Sequence, residues 1–327
     1  MALLRAPASA EARRPNTTSR IARDDDKGLR LRDGRWLGYR ESGDPDGTPV
    51  LFFHGFGTTR VVCPTGVAAR QLGVRLIALD RPGIGLSTPR PGRRLLDWPD
   101  DVREAADQLG LERLSIVGWS GGGPYALACA GRLGDRIRSI AIVSGAAPLA
   151  GTTRTDYLRR FDRNAVIAAG RAPWVIRIAL WHWGRAQRRD AERFFEESVA
   201  DMCAADQEVL SEPGLRNAMI QNSVELYRQG GRGMYDEALV LARPWGFEPS
   251  EITVPVQIWQ GARDKTVPIA MSSHLLEMIP GAQLHLYPNE GHHLLYRCWP
   301  DILSSLVSAD PAPALATTVF APSAGQA

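Results

Sequence analysis

The chain has 327 residues, 44% hydrophobic and 23% charged, an ordinary soluble composition with room for one large α/β domain or two smaller ones. Its 39 basic and 36 acidic residues leave a net charge of +3, too balanced to argue for nucleic acid, and every basic residue except Lys27 and Lys265 is arginine, which reads as the codon bias of a GC-rich, bacterial genome. No apolar run reaches the ~18 residues of a membrane span, so stable membrane insertion is not expected. Cys63, Cys129, Cys203 and Cys298 form no CxxC pair and read as free thiols in a reducing cytoplasm.

Residues 1–26 are polar and aperiodic, end in Asp24-Asp25-Asp26, lack the apolar core of a secretory signal and read as a flexible tail. Leu29–Arg32 and Trp36–Glu41 read as strands joined by a turn at Asp33-Gly34. Short apolar runs follow at Val50–Phe53, Arg75–Leu79, Leu114–Val117 and Ile137–Val143, and again at Val256–Gln260 and Gln283–Tyr287. Rich in Val, Ile and Leu with few charges, they suit parallel strands covered on both faces. Between them, Asp100–Leu109 sets Val102, Ala105, Ala106 and Leu109 on one helical face, and Gly122–Leu133 has the small apolar composition of a buried helix. This βαβ rhythm predicts an α/β fold with a mostly parallel, doubly wound sheet. The rhythm stops near Pro148 and resumes near Thr253. Residues 150–250 are helical in pattern and rich in Arg and Trp, an insertion that divides a core of 27–149 and 251–307. From 308 to 327 the chain is rich in Ala, Pro, Ser and Thr and reads as a second tail.

Gly118-Trp119-Ser120-Gly121-Gly122 is a G-x-S-x-G motif, weak alone but here placed directly between a strand and a helix. So tight a turn strains the serine backbone, needs flanking glycines where a Cβ would clash, and lifts the hydroxyl off the sheet edge. A serine alcohol needs a base, and the base an orienting acid. Gly261-Ala262-Arg263-Asp264 and Glu290-Gly291-His292-His293 each follow a strand, downstream in the order Ser, acid, His. His54-Gly55-Phe56-Gly57 follows Val50–Phe53, so the N–H groups of Phe56 and Gly121 are the candidate oxyanion donors.

Through HGFG at 54–57, DRPGIGLS at 80–87, GWSGGG at 118–123, GARDKTVP at 261–268 and EGHH at 290–293, the chain resembles the α/β-hydrolase family, in the branch of esterases, lipases, lactonases and C–C bond hydrolases. The resemblance covers residues 28–307. It implies Ser120 as nucleophile, Asp264 as acid and His292 as base, with His293 the rival base. It disfavours relatives with an Asp nucleophile, and it implies that residues 150–250 fold over the site as a helical cap. His54 is expected to hold the oxyanion loop by hydrogen bonds, Asp80 and Arg81 to brace the loop of Gly83 and Gly85, and His182 and His274 to have no catalytic role. Trp119 is a candidate acyl-pocket residue, with packing alone as the equal alternative. Ala172–Trp183 is too apolar for a solvated helix, so its apolar residues are expected to face the core domain, the substrate or a lipid surface, with Trp174, Ile178 and Trp181 as candidate substrate contacts.

The activity expected is cleavage of an ester or lactone of a small, largely apolar molecule in the cytoplasm. The alternatives are C–C hydrolysis, lyase, cyclase or perhydrolase chemistry by the same triad, and a ligand sensor without turnover. No HExxH and no GxGxxG after the first strand call for a metal or dinucleotide, so no cofactor is expected. Oligomeric state, homo-oligomer included, is left open.

Overall fold

The computed structural model describes residues 26–151, 160–308 and 318–319. The two tails read from the sequence lie outside these residues, apart from their inner ends and residues 318–319. One of those ends is a correction: Asp26 opens the first strand, and its carboxylate is buried between Arg60 (2.5 Å) and Arg40 (2.9 Å). Its partners lie 34 and 14 residues away, so nothing local sets it apart from Asp24 and Asp25.

The strands are β1 (Asp26–Arg30), β2 (Trp36–Gly43), β3 (Thr48–Phe53), β4 (Val74–Leu79), β5 (Leu114–Trp119), β6 (Ile137–Val143), β7 (Val256–Gly261), β8 (Gln283–Tyr287) and β9 (Thr318–Val319). They form one sheet in the order β1-β2-β4-β3-β5-β6-β7-β8-β9, antiparallel at β1, β2 and β4 and parallel from β4 onward. The β1–β2 turn is where the sequence put it, with Gly34 at φ +87. The short β9, within the stretch read as a tail, adds a parallel edge to β8.

Helices flank the sheet: α1 (Gly66–Gln71), α2 (Trp98–Gln108) and α3 (Gly123–Leu133) in the first part of the core; α4 (Arg160–Arg171), α5 (Pro173–Arg189), α6 (Ala191–Ala200), α7 (Ala204–Leu210), α8 (Pro213–Glu225) and α9 (Arg232–Leu241) between β6 and β7; and α10 (Ile269–Met278), α11 (Leu294–Arg297) and α12 (Trp299–Val307) after β7. The strands are apolar on both faces because both are covered. In β3, Leu51 and Phe53 join the cluster under α2, α3 and α10, while Val50 and Phe52 join the one under α1, α11 and α12.

The strand order explains where a site must form. After β3 the chain moves outward to β4, then crosses back so that β5 pairs with β3 on its other side. Connections diverge from the carboxyl ends of β3 and β5, which opens a crevice there. His54–Gly57 leaves one lip of that crevice and Ser120 the other.

Candidate active site

Ser120 has a left-handed backbone, φ +54. A non-glycine residue adopts that conformation only where its surroundings impose it. Here they do: a Cβ on Gly118 would lie 2.8 Å from the Gly122 carbonyl oxygen, and one on Gly122 would lie 2.2 Å from the Phe53 carbonyl oxygen. The two glycines let β5 turn into α3 while packed on β3. Ser144, at the tip of β6, repeats the conformation at φ +46, but its hydroxyl is fully buried. Ser120 is partly exposed. Gly121 lies so close to the oxyanion loop that a Cβ on it would stand 3.0 Å from the Phe56 nitrogen, so the two candidate donors share one small region.

The loop carrying Phe56 is fixed from beneath. The His54 Nδ1–H donates to the Gly55 carbonyl (2.9 Å) and Nε2 accepts from the Arg81 N–H (3.3 Å). Burial and the Arg81 charge push the His54 ring down to about 3, so it is neutral at pH 7. Arg81 also donates to the His54 carbonyl (2.5 Å) and the Gly55 carbonyl (2.9 Å). Asp80 accepts from the Leu86 N–H (3.0 Å) and holds the Gly83–Gly85 loop. These contacts agree with the bracing roles expected of His54, Asp80 and Arg81.

Across the crevice, His292 Nδ1–H donates to Asp264 Oδ2 at 2.8 Å, with both side chains buried. The other Asp264 oxygen accepts from the N–H groups of Thr266 (2.7 Å) and Val267 (2.8 Å), which fixes the carboxylate independently of the histidine. Trp119, next to Ser120, donates its indole N–H to the His292 carbonyl (3.2 Å), and its ring lies against His292, His293 and Tyr296. Trp119 is therefore buried and braces the histidine loop, which is the packing alternative of its two expected roles.

His293 has its own carboxylate. Asp206, on α7 of the insertion, accepts from the His293 N–H (2.7 Å), the His292 N–H (3.0 Å) and the His293 ring at Nδ1 (3.3 Å). The Cys203 thiol also donates to it (3.3 Å). Burial would raise the Asp206 carboxyl, but the ring and the two backbone N–H groups hold it well below the usual carboxylate range. Burial keeps His293 below its ordinary value against the pull of Asp206, so the ring is neutral at pH 7. Sequence reading missed Asp206. In the first turn of a helix it looks like an ordinary N-terminal acid, and its partners lie 86 and 87 residues away.

The insertion meets this site through three further residues that the sequence did not flag. Trp183 stacks on Phe56 (centroids 6.4 Å apart, planes at 7°). Leu241 reaches within 3.4 Å of where a Cβ on Gly121 would stand. Asn222 donates to the Gly57 carbonyl (3.1 Å). Trp174, Ile178 and Trp181 are instead 63%, 50% and 56% exposed, and the hollow that Ile178 and Trp181 line is not lined by Ser120. They sit on the outer face of α5, whose side toward the core carries Trp183 and Gly184. Apolarity in the sequence could not say which face turns inward.

Two hollows, of about 360 and 1050 Å³, lie elsewhere on the surface, and neither is lined by Ser120 or His292. Among the described residues no group of three His, Cys, Asp or Glu side chains is arranged to hold a metal ion. Nor, among them, is any helix long and apolar enough to cross a membrane.

A model of the alpha/beta hydrolase fold matches residues 48–297. The chain is 26% identical over 259 residues to a poly(3-hydroxyalkanoate) depolymerase of Ectopseudomonas oleovorans, covering 77% of this chain and 81% of that protein. It is 25% identical over 253 residues to a 2-hydroxymuconate semialdehyde hydrolase of Pseudomonas putida, covering 76% and 81%. In structure it is similar to an esterase from Exiguobacterium antarcticum, with a TM-score of 0.63 at 22% identity over 86% of this chain and 97% of that one.

Proposed function

The chain belongs to the alpha/beta hydrolase fold family, and from that premise we propose that it is a serine hydrolase cleaving a carboxylic ester or lactone bond of a small, largely apolar substrate. The observation that carries this reading is the strained, partly exposed Ser120, whose neighbour Gly121 packs against the nitrogen of Phe56, together with a buried His292–Asp264 pair. The Ser120 hydroxyl attacks the carbonyl carbon as His292 Nε2 takes its proton. Asp264 holds Nδ1–H toward itself and stabilises the imidazolium. The negative charge gathered on the carbonyl oxygen is met by the N–H groups of Phe56 and Gly121. The imidazolium returns the proton to the leaving alkoxide, and water, deprotonated by the same ring, releases the acyl group. No step in this scheme requires a metal or an organic cofactor.

Helices α4–α9 are the cap in this proposal, supported by the stacking of Trp183 on Phe56 and the approach of Leu241 to Gly121. A cytoplasmic location fits the four free thiols. The similarity to a protein named a semialdehyde hydrolase favours one alternative, C–C bond hydrolysis by the same triad.

The test is labelling with a fluorophosphonate, followed by turnover of aryl esters, lactones and diketones. An adduct on Ser120 and ester or lactone turnover lost in Ser120→Ala are expected. An adduct on another serine with none on Ser120 overturns the assignment, and turnover confined to diketones selects the alternative.

A further inference from the structure

Helix α5 has two dissimilar faces. Leu180, Trp183 and Gly184 turn toward the rest of the molecule; Trp183 stacks on Phe56, and Leu180 and Trp183 pack around Ile84, Leu226 and Met234. Trp174, Val175, Ile178 and Trp181 turn outward, 42–63% exposed, at the i, i+1, i+4, i+7 spacing of a single stripe. Ile167 on α4 is also exposed. Five of the ten exposed large hydrophobic residues among those described thus lie within residues 160–189.

Charge is concentrated on the same two helices. Residues 160–189 hold seven arginines and one aspartate, a net charge of +6. The whole chain carries +3, so the other 297 residues sum to −3. Helix α5 has four arginines and no acidic residue. Beside its stripe the hollow of about 360 Å³ is lined by Arg177, Arg188, Arg232, Trp181, Tyr227 and Tyr235 among others, and no carboxylate lines it. Arg188 lies over the Tyr227 ring at 4.8 Å.

We propose that the outer face of α4 and α5 is a docking surface for an anionic lipid bilayer. Tryptophan with its amphipathic ring, flanked by aliphatic side chains and arginines, is the composition that settles at the boundary of headgroups and acyl chains. Seventeen residues carrying four arginines lie in that boundary and do not cross it. A second copy of the chain is a poor occupant, because it would set +6 against +6. A zwitterionic surface would leave the arginines unmatched. Docking in this way would set α5 between the lipid and the crevice, with Trp183 and Phe56 on the side of the helix away from the bilayer. The inference stands on exposure and charge, so it survives or fails independently of the hydrolase reading.

The experiment is flotation of the full chain with vesicles of phosphatidylglycerol and phosphatidylcholine, and with phosphatidylcholine alone. Salt is raised from about 0.05 to 0.5 M, over which exposed charges become screened. Binding to the anionic vesicles that weakens with salt is expected, with little binding to phosphatidylcholine. Arg185→Gln and Arg189→Gln should each lower the partition constant about fivefold. Trp174→Ala with Trp181→Ala should lower it roughly tenfold or more, with circular dichroism verifying that the variants are folded. A parent that does not float, binding equal on both lipids, or a double tryptophan variant that binds like the parent overturns the proposal. A parent dimer that the tryptophan variant converts to monomer would assign the face to a second copy. Retention on immobilised polyglutamate without vesicle binding would assign it to an acidic protein.

Discussion

The two halves of the insertion between β6 and β7 are both helical, yet they sit on the molecule in opposite ways. The second half, α7–α9, is held by three carboxylates that plunge into the core. Asp206 takes the N–H groups of the histidine loop. Glu225 binds Arg60 (2.6 Å). Glu237 binds Arg81 (2.8 Å at Nε) and Arg93 (3.1 Å), and Arg93 in turn reaches the Tyr125 hydroxyl (3.1 Å). The first half, α4–α6, has no comparable buried anchor among the described residues; its ion pairs, such as Arg193–Glu197 and Arg216–Glu192, are at the surface. A helix that donates a carboxylate to a buried arginine has its position dictated by the high cost of leaving either charge unpaired. A helix with only surface pairs is placed by what little apolar area it buries.

The sharpest way to break this contrast is to remove an anchor. Glu237→Leu leaves the buried Arg81 and Arg93 short of their counter-charge and should destabilise the protein by about 3–5 kcal/mol, read from urea unfolding. Burial raises the Glu237 carboxyl, but Arg81 and Arg93 more than offset it and the group falls to about 2. That lies below the ~4.3 of an unfolded glutamate, so its contribution is whole above that pH and is lost as pH falls through the folded value. Glu237→Gln should therefore flatten the acid limb of stability; a limb unchanged from the parent would deny Glu237 its anchoring role.

A smaller and more specific effect is expected at Asp206. The rate of the parent should rise with pH as the imidazole of the proposed base loses its proton and can accept that of the serine. Asp206→Asn keeps the shape and removes a negative charge close to His292, and so disfavours the imidazolium. The midpoint of kcat/KM should move to lower pH and kcat should fall about tenfold, equivalent to ~1.4 kcal/mol. Loss of stability with an unmoved midpoint would make Asp206 a purely structural residue.

Smaller still is the change expected from Trp183→Ala or Leu241→Ala. Each methylene of an acyl chain that finds apolar cover gains about 0.8 kcal/mol, so these variants should lower kcat/KM for medium-chain esters more than for acetyl esters. Equal losses on both would remove the two residues from the acyl pocket. The smallest effect belongs to the loosely held half: Arg193→Ala breaks a pair that is exposed on both sides and should leave the melting temperature unchanged.

The same contrast marks what could be read from the sequence. Gly118, Ser120 and Gly122 were legible because a tight turn writes its steric demands into neighbouring positions. Asp264 and His292 were legible because each ends a short apolar run in the order the chemistry requires. The core strands were legible because burial on both faces leaves an uninterrupted apolar signature. Asp206, Glu225 and Glu237 were not, since each finds its partner between 86 and 165 residues away and looks like a solvated helix acid in its own segment. The facing of α5 was misjudged for a related reason. Its run of apolar side chains covers more than one side of the helix, so periodicity could not tell Trp183, turned inward, from Trp181, turned out.

Asp206 also limits how the crevice can open. It is the shared acceptor for two consecutive amides on the loop that presents His292, so α7 and the proposed base are tied together. A motion that lifted α7 by the length of a hydrogen bond would strand those amides and loosen the imidazole while the substrate was still arriving. A motion hinged between α6 and α7, at 201–203, would swing α4–α6 away and leave the base aligned. On the proposed reading, opening of the cap and alignment of the base are therefore separable: α4–α6 could move while Asp206 still holds the two amides of the histidine loop.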